Sequence, residues 1–252
     1  MTKISLLRIY QRDSVPPPLE IADAIAKEKI SGKSSIEIKN SFDQLIDSFQ
    51  KDAYDLYLEI ERRKGVEAIK KFLYEMKEKN RINNIDQMIN IAAEHFNDYN
   101  EFFLSLSQSR RARAGATFEH FINILFAKLD YPYTRRPVIN GEPDFLLPSV
   151  DYFRQYPTDC IIFTAKRTLR ERWRQITTEG THGLGFYLAT IDEKLSNAQL
   201  DLMRTNRINV VVPITLKERN YSNNLNVLSF REFFELHLDP AMKRWRRAGI
   251  VK

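Results

Sequence analysis

The sequence predicts an α/β protein, with a helical N-terminal part (residues 1–105) joined to a core (residues 106–252) built on a central sheet. Three observations carry this reading. Roughly the first hundred residues repeat apolar positions at helical spacing. Beyond about Ser109, short apolar or β-branched stretches alternate with helical ones, the pattern of a sheet with helical connections. With 252 residues, 43% of them hydrophobic, the chain has ample length to bury a core.

The elements follow in order. After Pro16-Pro17-Pro18, the apolar positions Leu19, Ile21, Ala22, Ile25 and Ala26 predict a helix to Ile30, broken by Ser31-Gly32-Lys33-Ser34. A longer helix carries Ile38, Phe42, Leu45, Ile46, Phe49, Tyr54, Leu56 and Ile60 and is expected to stop before Gly65. Ala68, Ile69, Phe72, Leu73 and Met76 predict a third helix, and residues 85–96 a fourth, with Asn80, Asn83 and Asn84 as stop and start signals. Residues 116–129 read as a helix burying Phe118, Phe121, Ile122, Leu125 and Phe126. Strands are expected at 136–139, 144–147, 160–165, 185–189 and 209–213. Between them fall an arginine-rich helix over 169–178 and a helix over 196–206 capped by Ser196; a last helix spans 230–238.

Composition excludes several classes. No apolar run approaches the ~18–20 residues that span a bilayer. Arg8 interrupts the N-terminus too early for a signal-peptide core. The single cysteine, Cys160, rules out an internal disulfide framework and a cysteine-rich zinc site, and it reads as an inert core residue. His95, His120, His182 and His237 lack zinc-ligand spacing. A reduced, cytoplasmic protein is the expectation. Lys and Arg outnumber Asp and Glu by 39 to 33, a net charge of +6 that leans toward polyanions only if the excess is clustered.

The candidate chemistry lies between residues 142 and 179. Glu142-Pro143-Asp144 puts a carboxylate at the start of a strand beside a proline that fixes the turn, though Pro-Asp is also a common turn dipeptide. Lys166 emerges from the end of the apolar strand Ile161-Ile162-Phe163-Thr164-Ala165, 22 residues after Asp144, and Glu179 follows 13 residues later. Adjacent strands could bring Asp144 and Lys166 together, and the next helix could return Glu179 to them. Two carboxylates and a lysine suit metal-assisted phosphodiester hydrolysis. Carboxylate oxygens suit Mg²⁺, which keeps several waters and lowers the pKa of one. The lysine can position the attacking water and offset transition-state charge.

Between Lys166 and Glu179 runs Arg167-Thr168-Leu169-Arg170-Glu171-Arg172-Trp173-Arg174-Gln175. Arginine pairs with guanine O6 and N7, and glutamate accepts from cytosine N4, so Arg170, Glu171 and Arg172 offer a reader of G·C pairs. A solvated helix with Arg–Glu pairing is the competing explanation.

Pro143-Asp144, Thr164-Ala165-Lys166, the Arg170-to-Gln175 string and Glu179 together resemble the EcoRII (catalytic domain)/SsoII-like branch of type II restriction endonucleases. The resemblance runs from about Arg110 to Pro213 and includes Arg113-Ala114-Gly115-Ala116-Thr117-Phe118-Glu119 and Leu188-Ala189-Thr190. It implies a restriction-endonuclease-like PD-(D/E)xK core with a central mixed sheet flanked by helices. This chain has the variant in which the acid two residues before the lysine is absent, Thr164 standing there. A later glutamate takes over, so Asp144 and Glu179 would be the metal carboxylates and Lys166 the catalytic lysine. Glu119 matches an additional acidic position that serves a second metal or orients water; an exposed helix carboxylate is the plainer alternative. Arg170, Glu171 and Arg172 match the base-reading triplet.

The implied activity is Mg²⁺-dependent cleavage of double-stranded DNA at a palindrome with a CCGG, CCNGG or CCWGG core. A palindrome suits a two-fold homodimer, and a cognate DNA methyltransferase is expected in the same system. Arg110, Arg113, Arg167 and Arg174 suit contacts to the DNA backbone, as do Arg135 and Arg136. Lys243, Arg244, Arg246 and Arg247 would do the same or form a disordered tail. The helical N-terminal part would serve dimerisation or DNA contacts. A structure-selective or repair nuclease of the same fold, and a DNA-binding module without catalysis, are the alternatives.

Overall fold

The computed structural model describes residues 7, 18–80, 82–139, 142–169 and 185–251. Within residues 18–128 the described helices are α1 (Pro18–Ile30), α2 (Ser35–Asn40), α3 (Phe42–Lys79), α4 (Ile85–Glu94) and α5 (Phe96–Lys128). The remainder alternates: β1 (Thr134–Arg135), β2 (Phe145–Leu147), α6 (Val150–Gln155), β3 (Ile161–Ala165), β4 (Gly185–Ala189), α7 (Asn197–Thr205), β5 (Ile208–Val212), α8 (Ile214–Asn220) and β6 (Val227–Ser229). The chain closes with α9 (Phe230–Phe233), a π-helical turn (Phe234–Leu238) and α10 (Asp239–Arg247).

Among the described residues the strands form one mixed sheet whose spatial order follows the chain, β1 to β6. β1, β2 and β3 pair antiparallel, and β3 through β6 run parallel. Because successive strand residues face opposite sides, Phe145, Phe163, Tyr187 and Val211 meet the N-terminal and C-terminal helices. Leu146, Ile162, Leu188 and Val210 meet Leu200 and Met203 of α7 and Leu216 of α8. A sheet covered on both faces explains why its strands read as unbroken apolar runs.

The local signals for helix starts hold. Ser34 and Glu37 form a reciprocal cap, with Ser34 N–H donating to the Glu37 carboxylate at 2.8 Å, and Ser196 with Gln199 repeats it. Asn84 caps α4 through the N–H of Gln87.

Gly65 does not end a helix. It lies inside α3, whose 38 residues extend ~57 Å at ~1.5 Å per residue. Mid-helix glycine costs about 1 kcal/mol relative to alanine. Packing of α3 along α5, where Gly65 sits beside Phe102, outweighs that cost. The change of texture near Ser109 likewise falls inside the continuous α5. The first half of α3 shares one core with the sheet, whereas Ala68, Phe72 and Met76 pack with Phe102 and Leu106 in a separate small cluster. Asp43 of α3 also ties these halves of the chain. Its carboxylate accepts the N–H groups of Ile214, Phe230 and Arg231 at 2.9, 3.1 and 3.2 Å.

Residues 136–139 do not form the expected strand. The ladder is one step earlier, at β1, and Arg136 turns out of it at φ +44°. The last helical stretch continues past residue 238 into α10 because Trp245 is fully buried and its indole N–H donates to Asp159. The C-terminal basic cluster is thus an ordered, docked helix. No helix among the described residues is long and apolar enough to cross a membrane.

Candidate active site

Asp144 immediately precedes β2, and Lys166 immediately follows β3. Antiparallel register pairs Phe145 with Phe163, so the next pair outward is Asp144 with Thr164. On the other side Arg135 pairs with Phe145, which puts Arg136 across from Asp144, and the Arg136 N–H donates to the Asp144 carbonyl at 3.0 Å. Strand periodicity carries Asp144, Thr164 and Lys166 to the same side of the sheet as Leu146 and Ile162. The structure therefore brings Asp144 and Lys166 together through register.

Asp144 is almost fully buried, and a buried carboxylate must be compensated. Its Oδ2 accepts the Thr164 hydroxyl at 2.8 Å, the Ala165 N–H at 2.7 Å and Lys166 Nζ at 3.1 Å. Among the described residues Oδ1 has only the lysine, at 3.5 Å. Lys166 keeps 39% of its side chain accessible, so its ammonium reaches solvent while touching Asp144.

The segment beyond Lys166 is pinned by the loop after β4. Lys166 N–H donates to the Ala189 carbonyl at 2.9 Å, the Thr190 hydroxyl to the Arg167 carbonyl at 3.1 Å, and Leu169 N–H to Asp192 Oδ2 at 2.9 Å. Leu169 itself is fully buried. Asp192 was not a candidate from the sequence, since a lone loop aspartate carries no local signal. An open groove of about 620 Å³ lies here, lined by Arg167, Thr168, Asp192, Lys194 and Gln199 among others. Arg170, Glu171, Arg172, Arg174 and Glu179, with the expected helix over 169–178 beyond Leu169, lie outside the described residues.

Glu119 on α5 is nearly buried, and arginines surround its carboxylate. Arg135 Nη2 lies 3.1 Å from Oε1, and Arg136 reaches both oxygens from Nη2 at 2.9 and 3.0 Å. This is neither an exposed helix carboxylate nor an open one. The hydrogen bond to Glu119, with the charges of Glu119 and Asp144, holds Arg136 more firmly protonated than usual. The neighbouring His120 pairs with Asp23 at 2.7 Å.

Three of the expected backbone-contacting arginines line one cleft between α3, α5 and the end of β3. Arg110 forks onto the buried Glu61, Arg113 lies 5.2 Å from the Tyr57 ring centre, and Arg167 enters the same cleft. Arg167 Nε and Gln50 Nε2, on two residues that line it, are buried without a hydrogen-bond partner among the described residues. Cys160 is buried, which pushes its thiol up to about 12, as an inert core residue requires.

One carboxylate oxygen of the site fits a hard divalent cation. Asp144 Oδ1 is an oxygen donor with open lone pairs, held still by the bonds on Oδ2. Mg²⁺ needs only one or two carboxylates because it retains waters, so this oxygen fits. Among the described residues no three metal-ligating side chains converge.

The family described as EcoRII C terminal matches residues 74–234. The type II restriction enzyme SsoII of Shigella sonnei is 28% identical over 160 residues, covering 59% of this chain and 52% of that protein. The type II restriction enzyme EcoRII of Escherichia coli is 28% identical over 201 residues, covering 76% of this chain and 45% of that one. The chain thus spans about half the length of these relatives. A structure of metal-depleted Ecl18kI with uncleaved, modified DNA superposes with a TM-score of 0.82 at 23% identity, over 98% of this chain and 85% of that one. The PspGI–substrate DNA complex gives 0.63 at 19% identity, over 94% and 96%. The architecture is therefore that of restriction endonucleases, a mixed sheet flanked by helices with a helical N-terminal part.

Proposed function

The chain belongs to the EcoRII C-terminal family, and from that premise we propose that it is a Mg²⁺-dependent type II restriction endonuclease. The reading rests on one observation above all. A nearly buried aspartate with one open oxygen sits 3.1 Å from a lysine ammonium, at the solvent-facing end of a mixed sheet. Its substrate would be double-stranded DNA carrying a short palindrome with a CCGG, CCNGG or CCWGG core.

Asp144, through Oδ1, and Glu179 would hold the cation. Mg²⁺ bound there supplies polarisation of the phosphate and a water of lowered pKa. The protein's own contribution is positional. Thr164 and the Ala165 N–H fix the Asp144 carboxylate. Lys166, accessible yet anchored to that carboxylate, would orient a water in line with the scissile bond and offset charge on the oxygens of the pentacoordinate transition state. Arg170, Glu171 and Arg172 would read the G·C pairs in the major groove. Arg174 would join Arg110, Arg113 and Arg167 on the backbone, and the unpartnered Nε of Arg167 supports an acceptor arriving there.

A homodimer matches a palindrome, each protomer reading one half-site. The end of the helical arm supports such an interface, since Tyr74, Ile85, Phe96 and Phe103 are exposed. Such an enzyme would work in the cytoplasm beside a cognate methyltransferase. The test is incubation with phage DNA of known sequence and Mg²⁺, followed by sequencing of the ends. Discrete fragments sharing one core are expected; a smear, or no cutting with any divalent ion, would sink the reading.

A further inference from the structure

We infer that Arg135 and Arg136 form a clamp for a DNA backbone phosphate next to the one that is cut, and that Glu119 is the anchor that aims them. The inference rests on the nuclease reading above and adds a binding site to it.

Charge arithmetic is the first argument. Glu119 carries one negative charge and receives two guanidinium groups. Asp144, whose charge also acts on Arg136, lies 3.1 Å from the Lys166 ammonium, so among these described side chains three cations face two carboxylates. One positive charge is therefore left over at the edge of the candidate active site.

Accessibility is the second. Glu119 keeps 12% of its side chain exposed, whereas Arg135 and Arg136 keep 40% and 66%. The anion is inside and the cations are outside, so an incoming anion meets guanidinium first. Arginine offers five N–H donors in a planar fork, and Glu119 occupies only some of them, leaving others for phosphate oxygens.

Backbone geometry is the third. Arg136 leaves the ladder just past the Arg135–Phe145 pair and is joined to Asp144 by the 3.0 Å bond from its N–H to the Asp144 carbonyl. It adopts φ +44°, a left-handed conformation that a residue with a side chain rarely occupies. That twist turns its side chain from the ladder onto Glu119. A phosphate held by this pair is consequently fixed relative to Asp144 by strand pairing, which is stiffer than a loop.

The experiment uses the full chain and a duplex carrying the core that the protein cuts, in EDTA so that binding is read without chemistry. Single phosphates around the cut are replaced in turn by neutral methylphosphonates. For the wild type, one or two positions beside the scissile phosphate should weaken binding about tenfold. Arg136→Gln and Arg135→Gln should bind more weakly at the start and lose sensitivity at those same positions. Each should also reduce the slope of log K against log salt by ~0.9 per protomer. Glu119→Ala keeps both arginines, so a blunted methylphosphonate response in this variant shows that aim as well as charge matters. Sensitivity in Arg136→Gln equal to the wild type at every position would overturn the clamp, and an unchanged response in Glu119→Ala would overturn the anchor. If the wild type neither cuts nor binds DNA, the nuclease reading fails instead.

Discussion

Thr164 donates its hydroxyl to the Asp144 carboxylate at 2.8 Å, across the β2–β3 pair and two residues before Lys166. An acid at this position would set a second carboxylate against Asp144 at hydrogen-bond distance, where like charges oppose ionisation. Threonine instead donates a hydrogen bond to that carboxylate and is thus part of what holds Asp144 in place. Thr164→Val keeps the shape and removes the donor. Loss of one hydrogen bond to a buried charged group, about 1.5–3 kcal/mol, should slow single-turnover cleavage roughly ten- to a hundredfold, and Thr164→Ser should restore most of it. Wild-type rates in the valine variant would show that the hydroxyl is dispensable.

Asp144→Asn and Lys166→Ala should each reduce cleavage by at least about a hundredfold. Both sites lie at strand ends, so far-ultraviolet circular dichroism should be unchanged. Cleavage within tenfold of wild type in either variant would remove that residue from the mechanism. Glu179→Ala belongs in the same series and is expected to behave like Asp144→Asn.

Asp192 holds the N–H of Leu169 at 2.9 Å, at the last described residue before the arginine-rich segment. Its role is to fix where that segment starts. Asp192→Ala should therefore lower discrimination between the true site and single-mismatch sites, about tenfold in the ratio of kcat/KM, more than it lowers cleavage of the true site. Asp192→Asn retains an acceptor and should lie in between. An equal loss on all sites would mean that Asp192 only stabilises the fold.

The C-terminal helix supplies a pH prediction. Burial alone would push the Asp159 carboxyl up, but hydrogen bonds from Arg244, Tyr152 and Trp245 and the charge of Arg244 hold it below the usual carboxylate range. A carboxyl whose folded pKa is lowered contributes stability above its unfolded pKa and loses it as pH falls through the folded value. The Tm difference between wild type and Asp159→Asn should be full at pH 7 and shrink below about pH 4. A difference that stayed constant from pH 7 to pH 3 would refute the pairing as its source.

Much of the fold was legible because its signals are local. The caps at Asn84 and Ser196 act through groups three residues away. β3, β4 and β5 show themselves by apolar runs buried on both faces. Shorter elements, α6 and the three-residue β6, carry too little pattern to be read. Gly65 misled because its modest helix penalty is a local quantity, and the packing against α5 that overrides it is not.

The site divides along the same line. Residue chemistry and spacing by themselves singled out Asp144 and Lys166, a carboxylate and an ammonium at the ends of two apolar strands. Only the tertiary structure decided their company: Thr164 beneath the carboxylate, Asp192 under the exit of β3, and two arginines on Glu119. Propensity and capping act within about four residues, whereas Glu119 meets Arg136 across 17 and Asp43 meets Phe230 across 187. A charge finds its partner through strand register and helix packing, and those are settled by the burial of the whole core.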